Sequence, residues 1–367
     1  MKPQRLQSID ALRGFDMLFI MGFSGFVIAL CSLFPEGSQC WLAQTMKHVK
    51  WDGLAHHDTI FPLFLFLAGL SFPFSYAKLC EAGASRRQIY LKIARRTLLL
   101  ILFGLIYNGL FKLDFATLRV CSVLGRIALA WCIASLLYIN FSRTTRIIVA
   151  ASLLIGYWLV VGFIPAPDVA NGDPLSMQGT MVGYIDRLIT PGRLLYDNGR
   201  FDPEGLFSTI PAIVTAMLGI FTGEYVRSER HSGNRKVVTM FVAAAVMLGV
   251  GLLWSLVFPI NKMLWSSSFV LVVGAYSLAM FALFYYIIDV RGHARWSLPL
   301  QVIGLNSITI YMAQKIIPFS HINKFFLGGA AELLPPEWGV LLLKGGFVAV
   351  CWLFLYFLYR KKIFLKV

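Results

Sequence analysis

Between Met46 and Gly69 the chain reads MKHVKWDGLAHHDTIFPLFLFLAG, with His48, Lys50, Trp51, Asp52, His56, His57 and Asp58 gathered ahead of a run of Phe, Leu and Ile. An imidazole titrates near neutral pH, so His48 can take a proton from an attacking amine or hydroxyl. Asp58 follows ten residues later. If the WDGL turn brings the two together, the carboxylate could orient the ring as the third member of a catalytic triad does. His48 reads also as a solvated loop residue. A metal site from His48, His56, His57 and Asp58 would use ordinary zinc ligands. Adjacent histidines rarely share one ion, however, and there is no helical HxxxH pair, so no metal is expected. Phosphate cradles of the GxxxxGK[ST] and GxGxxG kinds are absent, as is the GxSxG nucleophile elbow.

Other ionisable groups stand inside apolar sequence. Asp10, Arg13 and Asp16 in RLQSIDALRGFDM are three residues apart and share a helix face. They read either as a salt-bridge ladder or as a ligand-facing row. Arg126 lies too deep in VCSVLGRIALAW to snorkel with ease. It needs a carboxylate, such as Asp16, or a ligand. The paired arginines Arg86, Arg87, Arg95 and Arg96 serve topology, and are also what a nucleotide phosphate needs. Asn306 and Ser307 in GLNSITIYM bring polar groups into a late apolar run, where an Asn can bond a neighbouring helix.

These groups must be positioned by membrane helices. Mean hydropathy is +0.71, hydrophobic residues make up 58% and charged residues 14%, well below the charged share of a soluble globule. The expected fold is all-α and polytopic. Windows of roughly 20 apolar residues give about ten candidate transmembrane helices, at 14–34, 59–78, 97–111, 119–140, 146–164, 207–226, 237–258, 266–288, 298–319 and 338–359. The first is too long for a signal peptide and has no small-residue cleavage site, so it is expected to stay in the protein. No repeat is visible, and 1–367 is read as a single domain with a long extracytoplasmic loop at 165–206.

The net charge of +15 falls on alternate loops. Arg86 to Arg96, Arg143 and Arg146, Arg227 to Lys236, and Arg291 and Arg295 are basic. So are the termini, with Lys2 and Arg5 at one end and Arg360, Lys361, Lys362 and Lys366 at the other. Acidic residues gather in the loops between. Basic loops face the cytoplasm, so both termini are expected there and the span count is even. The positive excess needs no partner beyond the lipid bilayer, and no nucleic acid is implied. The six cysteines have no metal-type spacing. Cys31 and Cys40 could meet on the outer side, either bridged or as inert thiols.

An ordered set of segments then carries a resemblance. RLQSIDALRGFDM, KHVKWDGLAHHDTIFPLFLFLAG, LGRIALAW, GYIDR, FDPEGLFSTIPAIVTAMLGIFTG, NKMLWSSSFVL and GLNSITIYM run over nearly the whole chain. Together they resemble the heparan-alpha-glucosaminide N-acetyltransferase family of transmembrane acyltransferases, in a short bacterial form. The resemblance implies transfer of an acetyl group from cytosolic acetyl-CoA to the amine of a glucosamine-type sugar across the membrane. It puts the catalytic histidine on His48, its partner aspartate on Asp58 and the intramembrane arginine on Arg126. Arg13, Arg126 and Asn306 then become candidates for acetyl-CoA. Trp51, Asp202, Glu204, Asn261 and Lys262, on the outer face, become candidates for the acceptor. Asn261, Lys262 and Asn306 are also candidate donors to a tetrahedral oxyanion.

The expected location is a bacterial inner membrane with the active-site loop facing the periplasm, and a homodimer stays open. Direct attack on the thioester and a route through acetyl-His48 both remain open. An amino-sugar transporter would use the same intramembrane polar residues without acetyl-CoA. An acyltransferase acting on a lipid-linked or cell-wall sugar would differ only in acceptor.

Overall fold

A computed structural model describes residues 6–365; Lys2, Arg5 and Lys366, counted above among the basic ends, lie outside the described residues. The described chain is built from helices, with isolated bridges such as Arg119 to Gly192 and no strand. In order they are α1 (Gln7–Leu18), a π turn (Phe19–Phe23), α2 (Ser24–Cys31), α3 (Trp41–Thr45), α4 (His56–Glu81), α5 (Arg86–Tyr107), α6 (Val123–Asn140) and α7 (Arg143–Phe163). There follow α8 (Met181–Ile189), α9 (Thr209–Arg227), α10 (Gly233–Trp254), α11 (Ser267–Tyr285), α12 (Leu298–Leu305), α13 (Ser307–Ile316), α14 (Phe319–Glu332) and α15 (Pro336–Arg360).

Among the described residues, eight helices are long and apolar enough to cross a membrane: Gln7–Cys31, α4, α6, α7, α9, α10, α11 continued to Val290, and α15. The chain is a multi-pass membrane protein. Two of the ten sequence windows take other forms. Window 97–111 is the apolar end of α5, whose first half carries Arg86, Arg87, Lys92, Arg95 and Arg96. Window 298–319 breaks at Asn306 (φ −127°, ψ 31°) into α12 and α13. The first helix starts seven residues ahead of its window because QSIDALR is helical yet too polar to register as a span. Serines cap the helices that follow basic loops: Ser85, Ser142 and Ser232 each accept a backbone N–H of the first turn, and Ser85 forms a reciprocal box with Gln88.

The contacts divide the chain into two compact units. One holds the described residues up to Lys50, Leu54–Ile60 and the chain from Met280 on; the other holds Trp51–Gly53 and Phe61–Ala279. In the first unit α1 lies backbone to backbone on α12. A Cβ at Gly14 would overlap the Leu300 carbonyl, and one at Gly304 the Asp10 carbonyl, which is the small-residue contact membrane helices use to approach closely. The carboxylate of Asp289 caps the start of α1, accepting the Gln7 N–H at 3.1 Å and the Ser8 N–H at 3.3 Å. The first span is interrupted at Gly22, where φ is 123°, a conformation only glycine takes at little cost. The amide of Gln314 donates to the Met21 carbonyl beside this break at 3.2 Å. Cys31 and Cys40 are close but unbridged, and the Cys40 sulfur caps α3 through the Ala43 N–H.

In the second unit α5 pairs with α6, and α6 and α7 pack on α9. The segment 165–206 is part of this core. Val182 and Phe201 are fully buried with Tyr157, Val161, Phe258 and Leu264.

The alternation of basic loops predicts a topology that labelling can check. With Cys40 and Cys80 replaced, a cysteine at exposed Gln178 should react with an impermeant thiol reagent added outside intact cells, and one at exposed Asn234 should react only after lysis. The opposite pattern would invert the assignment.

Candidate active site

The strap between α3 and α4 is held by one carboxylate. Asp58 lies in the first turn of α4 and is 1% exposed, while His48 on the strap is 52% exposed. His48 Nδ1 and Asp58 Oδ1 are 2.6 Å apart. Oδ2 accepts the Val49 N–H at 3.2 Å and the Ala55 N–H at 3.3 Å. The Ala55 contact is the acidic half of a helix-capping box, placed where the helix dipole favours a negative charge. Asp58 therefore terminates α4, fastens the residue after His48 and orients the ring. A buried orienting carboxylate with a solvent-reachable imidazole is the arrangement a general base needs.

The two histidines beside Asp58 part company. His56 packs its ring on Phe19 with centroids 4.4 Å apart. His57 Nδ1 lies 3.0 Å from the Ser24 hydroxyl, and its ring meets that of His48 edge-on at 4.5 Å. The sequence offered no signal for the Ser24 contact, because it depends on the turn of the first span at Gly22.

A second polar group belongs to the other unit. Arg119 donates to Asp202 with both ends of its fork, Nε to Oδ2 at 2.7 Å and Nη2 to Oδ1 at 2.6 Å, and Nη2 also reaches Glu204. Asp202 is fully buried. The two candidate acceptor residues of FDPEG are thus bound by a cation that the sequence reading missed. The available signal was the acidic pair itself, since two carboxylates in an apolar chain require a donor. Arg126, 2% exposed, donates through Nη2 to the Gly205 carbonyl at 3.1 Å and to the Ser208 hydroxyl. Its guanidinium carbon stands 5.0 Å from the Trp265 ring, a cation–π contact. Hydroxyl, carbonyl and ring hold it, where the sequence left a carboxylate or a ligand open.

The remaining candidates have structural duties. The Trp51 indole donates to the Leu175 carbonyl at 2.8 Å and its ring meets Phe201 edge-on at 5.6 Å, fastening the 165–206 segment. Asn261 is fully buried; its amide donates to Asp52 at 3.1 Å and its carbonyl accepts the Leu264 N–H at 2.9 Å. Lys262 is half-buried on the same turn. Arg13 pairs with Asp10 at 3.8 Å. The Asn306 amide donates to the Ile363 carbonyl at 3.0 Å and its carbonyl accepts the Leu365 N–H at 3.3 Å, so it holds the end of the chain on the break between α12 and α13.

Residues 5–114 match the family described as a domain of unknown function, DUF5009. A heparan-alpha-glucosaminide N-acetyltransferase of Homo sapiens is 26% identical, over all of this chain and 60% of the relative. That of Mus musculus is 26% identical over 99% of this chain and 60% of the relative. The chain spans about 60% of the length of these curated relatives.

Asp186, on α8 in the 165–206 segment, is fully buried, and Oδ1 accepts the Phe207 N–H at 2.9 Å. Burial raises its pKa to about 6, against the opposing pull of the Phe207 N–H and of Arg126. An unfolded Asp titrates near 3.9, so the folded state holds the extra proton between those values. Stability tied to this group is full below about 3.9 and is lost as pH rises through about 6. Asp186→Asn keeps an oxygen for Phe207 and cannot ionise. It should be more stable than the wild type at about pH 7.5, by at most roughly 3 kcal/mol, with the difference vanishing toward about pH 4. Thermal midpoints across pH in detergent check this.

Proposed function

We propose that the chain is a membrane acetyltransferase that moves the acetyl group of acetyl-CoA to the amine of a glucosamine-type sugar, with His48 as general base. The observation that carries this reading is the 2.6 Å contact between half-exposed His48 and buried Asp58. The likeness to two N-acetyltransferases along the whole chain supports it. Thioester donors supply an electrophilic carbonyl, and an amine becomes a competent nucleophile once its proton is removed. His48 does this through Nε2, while its Nδ1–H donates to Asp58. The carboxylate fixes the tautomer and stabilises the imidazolium that forms.

Acetyl-CoA presents phosphates and carbonyls, all hydrogen-bond acceptors, and needs buried donors. Arg126 fits that need. Its Nε and Nη1 are buried without hydrogen-bond partners among the described residues, whereas the Asn306 amide is committed to Ile363. We assign Arg126 to the donor and leave Arg13 and Asn306 as supports of their helices. The Asn261 amide is likewise committed, to Asp52, so we assign no oxyanion contact to it. By the alternation of basic loops we place the His48 strap on the extracytoplasmic side, the periplasm of a bacterial inner membrane, with both termini in the cytoplasm.

His48→Ala should lose on the order of 10² to 10⁴ in turnover with glucosamine while keeping acetyl-CoA affinity. Asp58→Asn is the sharper test. The Asn oxygen can still accept the Val49 and Ala55 N–H groups, so the strap stays folded, but its NH2 donates to Nδ1 and forces the imidazole proton onto Nε2. Turnover should fall by a similar factor with little change in thermal midpoint. Retained turnover in either variant would remove the mechanism. Arg126→Lys keeps the charge but not the planar fork, and should weaken acetyl-CoA binding about tenfold or more by calorimetry. Unchanged affinity would make Arg126 a structural residue.

A further inference from the structure

We infer that His57 is a proton-relay residue acting through His48, and that Ser24 positions it. The inference rests on the acetyl-transfer reading above. The acceptor's chemistry calls for a second proton acceptor. A primary amine is largely an ammonium ion at and below neutral pH, and an amide nitrogen formed from it has lost two protons. The carbon–nitrogen bond forms and the carbon–sulfur bond breaks. Of the two protons, one ends on the departing thiolate and the other must reach solvent. A single imidazole holding its Nδ1–H against Asp58 takes only one proton at a time.

The geometry supplies the second ring. His57 meets His48 edge-on with ring centroids 4.5 Å apart, so the two imidazoles are in contact, and the relay passes the proton between these rings, directly or through water. Ser24 Oγ lies 3.0 Å from His57 Nδ1 and can either donate or accept there, so the contact survives both protonation states. Ser24 is buried and opens α2 directly after the π turn at Phe19–Phe23, whose Gly22 re-aims the helix. His57 is thus clamped between a rigid hydroxyl and the catalytic ring. The titratable groups beside it include His48 on the strap, whose ring it meets, and its chain neighbours His56 and Asp58 on α4.

His57→Asn separates relay from positioning, because an Asn amide can replace Nδ1 toward Ser24 but cannot carry a proton. Glucosamine turnover is measured for wild type, His57→Asn and His57→Ala from about pH 6 to about pH 8.5. Both variants should fall about tenfold or more at the acid end, recover toward the alkaline end where the acceptor arrives as free amine, and respond to added imidazole. A deficit that is the same at every pH, or full activity in His57→Asn, would overturn the relay. A second readout needs no transfer. With nitrogen-labelled imidazoles, His48 in the wild type should titrate in two coupled steps that collapse to one in His57→Asn. A single step in both proteins would overturn the inference. If wild type transfers nothing to glucosamine, the acetyl-transfer reading fails and this titration alone decides whether the rings share a proton.

Discussion

Apolar surroundings do not tolerate an unsatisfied carboxylate, and Asp58 meets that demand with the strap itself. One buried side chain accepts from His48, from the backbone of Val49 and from the backbone of Ala55. Hydrogen bonds to a charged group are worth about 1.5–3 kcal/mol each, and breaking such a set leaves a buried charge uncompensated. The end of α4, the path of the strap and the orientation of the imidazole are consequently set together. A strap free to swing would present His48 in many rotamers, and the ten-residue spacing would then have no chemical meaning.

The same requirement organises the second unit by different means. Arg119 gathers Asp202 and Glu204, and Arg126 is lodged between Ser208, Gly205 and Trp265. These contacts join the segment before α6 to the FDPEG turn before α9, and Trp51 adds a third tie through Leu175. The 165–206 segment, rich in Pro, Gly and Asp, is ordered because its polar groups are spoken for and its apolar ones, Val182 and Phe201, are buried. Long connections are uncommon in compact proteins unless they are held in this way, and this one also carries the short helix α8.

The membrane class and eight of the ten windows were legible in the sequence because hydropathy over a span is a sum, insensitive to any one neighbour. The partnership of His48 and Asp58 was legible as a possibility, since a short strap limits how far apart its ends can be. Other features depended on contacts distant in sequence. Arg119 and Asp202 are 83 residues apart, and Ser24 and His57 are 33 apart. The break at Asn306 was hidden by the apolar residues on both sides of it. There the side chain binds Ile363 and Leu365 in preference to letting the helix continue.

Asn306 and Asn261 illustrate how the fold can engage polar groups that residue type alone offers to a ligand. Each sits in an apolar run and has the donor an oxyanion would require, yet each spends that donor on the fold. A buried amide already paired gains nothing by turning to a ligand unless its first partner finds another bond. His48 differs because its contact with Asp58 fixes the ring through Nδ1, so under the proposed mechanism the structural contact and the chemical role would reinforce each other. The sorting rule is therefore the fate of the partner: where using a group for chemistry would orphan its neighbour, the group serves the fold, and where it would strengthen the neighbour's bond, as an imidazolium of His48 would against the Asp58 carboxylate, the group is a candidate for the reaction.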